Sequence, residues 1–563
     1  MKKLYVLVVA VFSVVVAEAQ NFEWVKTFGS TGVDGGNASV VDAAGNVYTT
    51  GTFRGTFDAD PGPGTTTLTS AAGGGVDFYI TKFDASGNFV WAKKIGGSDF
   101  DQAYSMAVDN TGNIYLAGYF AYVVDFNPDA GVNNMGAGGV FTPQGFLLKL
   151  DTNGTYVWAK QFTTNAVSGN AVVVTTVSVD ANNNVMLGGY FKGPMAVDSE
   201  PVVFTSTGGT NDFFIIKYNT SGVYQWAKQV GSLGSESVNG IATDAAGNVY
   251  ATGNFGAVTD FDPSPVVQNY GPVGGASDCF LLKLDTSGNY QWVKSIGGGN
   301  EEYGRSVVVN TAGDIYVAAN FTGTIMVPLS PATVNFPSNG STDNVIVKFD
   351  SAGSALWAKT FGGTGAEFIS SITCDSSGNV FSTGYFNGTV DFDPGVATTS
   401  LTTNGGNDVF VQKLTDSGSF VSAGRFGSTG NDVGNFIRID ANNKIITTGT
   451  FNGTCYFNPN SSSVDSVVSA GAEDGFVQKM SDPSLGNDAF DTETFRLYPN
   501  PGNGIYTVDS PADHLYSVVN VLGQTIQKGS LVFGANRIDI QNQPVGLYFL
   551  QFEKGNSLKL IKQ

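Results

Sequence analysis

A single histidine and three cysteines are spread over 563 residues. One imidazole, His514, cannot furnish a zinc site with several His ligands, and it leaves little material for a His-based catalytic triad. Cys279, Cys374 and Cys455 are an odd set and make no disulfide framework. All three sit in or beside apolar strand patterns, where Cys packs as a small hydrophobe. Charge is also scarce, at 13% of residues, against about 25% in ordinary globular chains. The 28 basic and 48 acidic residues leave a net charge of −20. Such a chain has no basic face for nucleic acid or an anionic membrane. No GxSxG, HExxH or P-loop pattern occurs. What is abundant is glycine, at 74 residues, with 42% apolar and 12% aromatic residues. That is enough to build a core, and it points to an all-β protein.

The first residues, MKKLYVLVVAVFSVVVAEAQ, place two lysines before an apolar run from Leu4 to Ala17. Ala17 and Ala19 give the small-x-small cleavage pattern, which predicts a signal peptide over 1–19 cut before Gln20. About 14 apolar residues are too few to span a bilayer, where roughly 20 are needed. No later segment has transmembrane length, so the sequence predicts no membrane helix.

Tryptophans stand at 24, 91, 158, 226, 292 and 357, each 65 to 68 residues after the last. Most open a similar string, such as Trp91-Ala92-Lys93-Lys94-Ile95-Gly96. A seventh, degenerate copy starts at Ser422. Each repeat reads as two hairpins, giving four strands that we call A, B, C and D. The A–B turn has the pattern Asp244-Ala245-Ala246-Gly247-Asn248, with Asp bonding local amides and Gly supplying positive φ. Strand C is apolar at neighbouring positions (Phe280 and Leu281), so both sheet faces must be covered. Small sheets stacked around an axis meet that demand, as would a solenoid.

The chain ends choose between them. Strand C of the last repeat, Asp474 to Lys479, has no strand D after it, while Phe22 to Phe28 is a strand D before the first strand A. This predicts a seven-bladed β-propeller over 20–480 whose N-terminal strand completes the last blade. The repeats resemble the bacterial β-propeller repeat family (SBBP-type), on the pattern Asp-x-x-Gly-Asn-Val-Tyr-x-x-Gly followed by Asp-x-Phe-x-x-Lys. Asn183-Asn184 and Asn443-Lys444 replace Gly-Asn in two copies. That resemblance implies a fold and no particular reaction.

Residues 481–494 are polar and acidic without periodicity and read as a linker. Residues 495–563 carry short strands parted by turns, which suggests a small Ig-like β-sandwich. Four ordered blocks in this module resemble the C-terminal sorting domain of type A substrates of the type IX secretion system. They are Leu497-Tyr498-Pro499-Asn500-Pro501, Val519 to Gln524, Gly546-Leu547-Tyr548-Phe549-Leu550 and Lys559-Leu560-Ile561-Lys562. The resemblance implies passage through the outer membrane, with the secretion machinery as partner and the cell surface or the medium as destination.

Two recurring features could carry chemistry, and both fall on the face formed by the B–C and D–A connections. After strand B come the pairs Asp58 and Asp60, Asp260 and Asp262, and Asp391 and Asp393. Carboxylates two apart on an extended stretch could offer oxygens to Ca²⁺, or could cap Asx-Pro turns. At the D–A connection stand Asp34, Asp99 or Asp101, Glu236, Glu301 or Glu302, Glu367 and Asp432; the third repeat lacks one. They would either ring the channel mouth in negative charge or accept N–H bonds from their own loops. The sequence points to a monomeric, non-catalytic propeller binding an extracellular protein or glycan. The alternative is a carbohydrate-active hydrolase or lyase using carboxylates near the channel; no cofactor beyond Ca²⁺ is implied.

Overall fold

The computed structural model describes residues 21–71, 75–136, 141–198, 200–458, 466–481, 496–510, 514–520, 524–552 and 557–563. The expected signal peptide with Ala17, Ala19 and Gln20, and the linker beyond Ser481, lie outside these residues. The chain divides into two compact units between Ser484 and Leu485.

In the first unit the repeats fold as four-stranded antiparallel sheets. One sheet contains Glu236–Thr243, Val249–Phe255, Asp278–Leu284 and Tyr290–Gly298, paired in that order as strands A to D. The same order recurs over 35–95, 102–163, 171–230, 302–363 and 368–426. The last sheet joins Val433–Ile439, Lys444–Phe451 and Asp474–Ser481 to Asn21–Phe28 at its outer edge. There Trp24 lies opposite Lys479 and Thr27 opposite Phe476. Strand C is buried along nearly its whole length in every sheet, because neighbouring sheets cover both of its faces. Each strand A packs beside the strand A of the next sheet, and Val433–Ile439 packs beside Gly35–Val41.

The A–B turns follow the expected chemistry. Asp244 Oδ1 accepts the amides of Ala246 and Asn248, and Gly247 takes φ +83°. Where glycine is replaced, Asn183 and Asn443 adopt φ +62° and +58°, a conformation that Asn tolerates better than most residues.

Two features escaped the sequence reading. The B–C connection folds into its own short ribbon, as in Thr389–Asp391 with Ser400–Thr402. Every strand A also carries a β-bulge, at Asn37, Tyr104, Thr175, Asn239, Arg305, Ser370 and Asn435.

The second unit has a three-stranded sheet (Arg496–Tyr498, Ile505–Ser510, Gly534–Asp539) and a four-stranded one (Thr525–Leu531, His514–Asn520, Gly546–Phe552, Ser557–Lys562). One apolar core serves both, with Tyr506, Val508 and Ile538 from the first and Val518, Leu550 and Leu560 from the second. No helix among the described residues is long and apolar enough to cross a membrane.

Candidate functional site

A β-bulge inserts one unpaired residue and turns its side chain away from the regular alternation. Here the seven bulged residues all point to one place, a cavity of about 520 Å³ lined by the A strands. Four of them tie neighbouring sheets together. Asn37 Nδ2 donates to the Ala103 carbonyl at 2.9 Å, Asn239 to Gly304 at 2.9 Å and Asn435 to Gly36 at 2.8 Å. The Thr175 hydroxyl donates to the Val238 carbonyl in the same way.

Tyr104 and Arg305 break that pattern. The Tyr104 ring lies 5.7 Å from the ring of Tyr119, and Tyr190 lines the cavity nearby. Arg305 Nε donates to Asn320 Oδ1 at 2.6 Å, and its guanidinium lies 5.5 Å from the centroid of the Tyr303 ring. Beside it, Phe368 stacks on Tyr385 with ring centroids 5.0 Å apart. Tyr119, Tyr190 and Tyr385 occupy one equivalent position on strand B. The other sheets place Thr52, Asn254, Asn320 and Thr450 there. Aromatic side chains therefore gather in two arcs, at the second and third sheets and at the fifth and sixth. Burial raises the phenol pKa values of Tyr104, Tyr119 and Tyr190, so these rings are neutral hydrogen-bonding surfaces.

Three residues further along strand A than the bulge lies Arg438. Its guanidinium sits 4.1 Å over the Phe436 ring and donates to the Ile437 carbonyl at 3.0 Å. Burial lowers it to about 10. Among the described residues, Arg305 and Arg438 are the charged groups of the lining, and no carboxylate joins them.

The D–A acids do not ring that channel. Asp34, Asp101, Glu236, Glu302, Glu367 and Asp432 are buried behind it. Each carboxylate clamps its own Gly- and Ser-containing loop. Asp101 accepts Gly97 and Ala121 N–H, Glu302 accepts Gly298 N–H, and Asp432 accepts Ser428 and Asn452 N–H. Asp99 and Glu301, the alternatives in two repeats, are not the clamping residues. A second buried acid from strand C neighbours each clamp: Asp77, Asp212, Asp278, Asp343, Asp408 and Asp474. Burial is the main reason that Glu302 is pushed up to about 8 and Asp101 and Glu367 to about 7. The strand-C carboxyl lies on a glycine at or just past the end of strand D. A Cβ on Gly362 would fall 2.3 Å from Asp343 Cγ. Between the second and third sheets, Gln144 replaces this Asp and Thr163 this Gly, and no D–A acid is present.

The paired aspartates after strand B lie in separate sheets and do not converge. Asp58 Oδ1 accepts the amides of Asp60 and Thr66, Asp260 those of Asp262 and Gln268, and Asp391 those of Asp393 and Thr399. Asp60, Asp262 and Asp393 cap the next turn through Gly62, Ser264 and Gly395. Among the described residues, no three His, Cys, Asp or Glu side chains group as a metal site.

In the C-terminal unit the sorting blocks meet. Asn500 Nδ2 donates to the Lys559 carbonyl at 2.6 Å and its Oδ1 accepts Ile561 N–H at 2.9 Å. Gly546 and Tyr548 lie opposite Lys562 and Leu560, and Asn520 lies opposite Tyr548. Tyr548 Oη donates to the Pro544 carbonyl and Lys562 Nζ to that of Gln541. Tyr498 is exposed, and the peptide bonds before Pro499 and Pro501 are cis.

Comparison with known proteins agrees with this division. Residues 90–119 and 225–254 match the beta-propeller repeat model, each segment running from a strand D through the next strand B. Over 549 residues the chain is 22% identical to the WD repeat-containing protein L264 of Acanthamoeba polyphaga mimivirus, an alignment covering 82% of this chain. The chain spans only 38% and 15% of the curated relatives it matches. Two solved structures overlay it loosely. The Myceliophteria thermophila Cps50 (Swd1) β-propeller domain is 8% identical, with coverage of 82% of this chain and 100% of that one and a TM-score of 0.36. PorZ, a surface component of the type-IX secretion system of Porphyromonas gingivalis, is 9% identical, with coverage of 96% and 100% and a TM-score of 0.23. Residues 496–563 match the secretion system C-terminal sorting domain. The chain thus joins β-propeller repeats to a type IX sorting domain that directs it to the cell surface or the extracellular space.

Proposed function

We propose that this protein is a seven-bladed β-propeller, closed by its N-terminal strand, that binds a glycan without turning it over. Its C-terminal Ig-like sandwich serves export, presenting Tyr498, Pro499, Asn500 and Pro501 together with Gly546, Tyr548, Lys559 and Lys562 to the secretion machinery. The observation that carries the binding assignment is the break in repeat symmetry at the channel. Positions filled by Asn, Thr and Ser in most sheets become Tyr104, Tyr119, Tyr190 and Tyr385 in the two arcs, and of these Tyr104 and Tyr190 line the cavity itself. Aromatic faces with a few polar groups are what a sugar ring needs, since its C–H face packs on the ring and its hydroxyls bond the edge. Hydrolysis by a carboxylate pair is disfavoured because the lining holds no carboxylate among the described residues.

The test is a glycan array and a hydrolysis screen on the mature chain, repeated with Tyr104→Ala/Tyr190→Ala. Saturable binding without products, lost in the variant, is the expected result. Turnover of a bound glycan would establish the enzymatic alternative instead, and binding unchanged in the variant would remove the channel as the site.

A further inference from the structure

Among the described residues, the two guanidinium groups of the channel have no anionic partner. Arg305 donates to the side-chain amide oxygen of Asn320 and lies near Tyr303; Arg438 donates to a backbone carbonyl and lies over Phe436. Neither lies within ion-pair distance of a carboxylate among the described residues, in a chain of net charge −20. Arg425, by contrast, pairs with Asp408 at 2.7 Å. Withdrawing a guanidinium from water is costly unless a counter-charge meets it. A structural role would be met by any side chain that fills the same space, and the equivalent positions hold neutral ones. Asn or Thr replaces Arg305 in four other sheets, and Val40, Ala107 and Ser178 stand where Arg438 does.

We propose that the channel takes an acidic saccharide, whose carboxylate or sulfate pairs with Arg305 while its ring packs against Tyr104 and Tyr190. This rests on the glycan-binding reading and names the ligand class. Arg438, on another strand A and three residues (about 10 Å of strand) past Asn435, the position equivalent to Arg305, receives the anionic group of a following unit. The planar donor fork of Arg matches both carboxylate and sulfate. The cavity, at about 520 Å³, has the size of an ordinary small-ligand site.

Titration calorimetry on the mature full-length chain separates the outcomes, using oligogalacturonate, a sulfated galactan oligosaccharide and a neutral galactan oligosaccharide of equal length. At least one acidic ligand is expected to bind tenfold or more tighter than the neutral one, with affinity falling as salt rises. Which of the two binds distinguishes carboxylate from sulfate. Arg305→Gln and Arg438→Gln should each remove most of that preference with an unchanged melting temperature. Tyr104→Ala/Tyr190→Ala should weaken acidic and neutral ligands alike. Equal affinity for acidic and neutral saccharides overturns the charge assignment and leaves glycan binding standing. Failure of all three to bind overturns the proposal, and the array then decides the broader reading. The comparison on the unaltered chain holds even if a variant fails to fold.

Discussion

The side-chain amide of Asn435 donates to the carbonyl of Gly36, 2.8 Å away and 399 residues earlier in the chain. The same bond, from a bulged Asn to the next strand A, is made by Asn37 and Asn239 between sheets adjacent in sequence. The junction of the last sheet with the first is therefore built like an interior one. It is reinforced by Asp34 N–H donating to the Glu473 carbonyl at 2.8 Å and by Lys479 Nζ reaching the Ala85 carbonyl. Phe28 is buried there against Tyr79 and Phe83. Phe28→Ala should cost about 3–5 kcal/mol, the usual range for a core aromatic. Removing 20–29 should uncover the sheet edge and give aggregation or a broad melt. An intact monomer with a sharp, unshifted transition would show that closure does not stabilise the ring.

The strand-D tryptophans act between sheets. Each lies over the positive-φ glycine of the next C–D turn: Trp24 over Gly87, Trp91 over Gly154, Trp357 over Gly418. Trp357 Nε1 also donates to the Asp416 carbonyl at 3.0 Å, and Lys348 of the same sheet pairs with Asp416 at 2.6 Å. Ser422 stands where the next Trp would be. The sheet it faces takes its fourth strand from the N-terminus, so no C–D turn joins its strands C and D. Trp357→Ala should thus destabilise by about 2 kcal/mol, less than for a fully buried Trp. Ser422 is itself buried, so Ser422→Trp has no turn to cover and should overpack its surroundings, costing about 1–3 kcal/mol. Denaturant titration of both variants checks the asymmetry; a clear gain from Ser422→Trp would contradict it.

Much of this architecture was legible because it repeats. The Trp spacing, the unpartnered first strand and the Asp-led turns each left a pattern, and Asn183 and Asn443 were readable as glycine substitutes. The bulges were not, since one extra residue in a seven- to nine-residue strand leaves no mark in an alternation read from a single chain. Nor were the B–C ribbons, too short at two to four residues to show a period. The acids at the D–A connection were found, and of the two readings open for them the structure shows the second, acceptance of N–H bonds from their own loops. The clue was the glycine at the end of strand D, since the one junction without an acid also exchanges Gly for Thr163 and Asp for Gln144. The channel site itself stayed hidden because its positions recur while their side chains differ.

The buried acid clamps make stability depend on pH. Glu302, Asp101 and Glu367 are held up, chiefly by burial and further by Asp278, Asp77 and Asp343. The unfolded chain releases these protons near the ordinary carboxylate value of about 4, whereas the folded protein keeps them to about 7 or 8. The folded state then binds more protons across that window, so its stability falls as pH rises from about 4 to about 8. Asp109, Asp244 and Asp285, which Asn and backbone donors hold low against the opposing effect of burial, act in the more acidic range. Since one pKa unit is about 1.4 kcal/mol, each clamp should contribute a loss on the order of a few kcal/mol. The urea midpoint should drop between about pH 5 and pH 8, and Glu302→Gln should flatten the slope. A midpoint that stays level over this range would mean that the clamps are ionised throughout.

The paired aspartates should behave as turn caps. Asp391 Oδ1 is already bonded by the amides of Asp393 and Thr399, at 3.1 and 2.8 Å, and Asp393 Oδ1 by that of Gly395 at 2.7 Å. Phe392 between them is buried, fixing the ribbon to the sheet. Calcium asks for six to eight oxygens, and each pair brings two carboxylates whose Oδ1 atoms are engaged in the turn. Asp391→Ala should therefore cost about 1–2 kcal/mol through two amides left without an acceptor. Calorimetric melts in millimolar calcium and in chelator should coincide for the unaltered chain. A melting temperature that rises with calcium, and stops rising in Asp391→Ala, would instead make these loops cation sites.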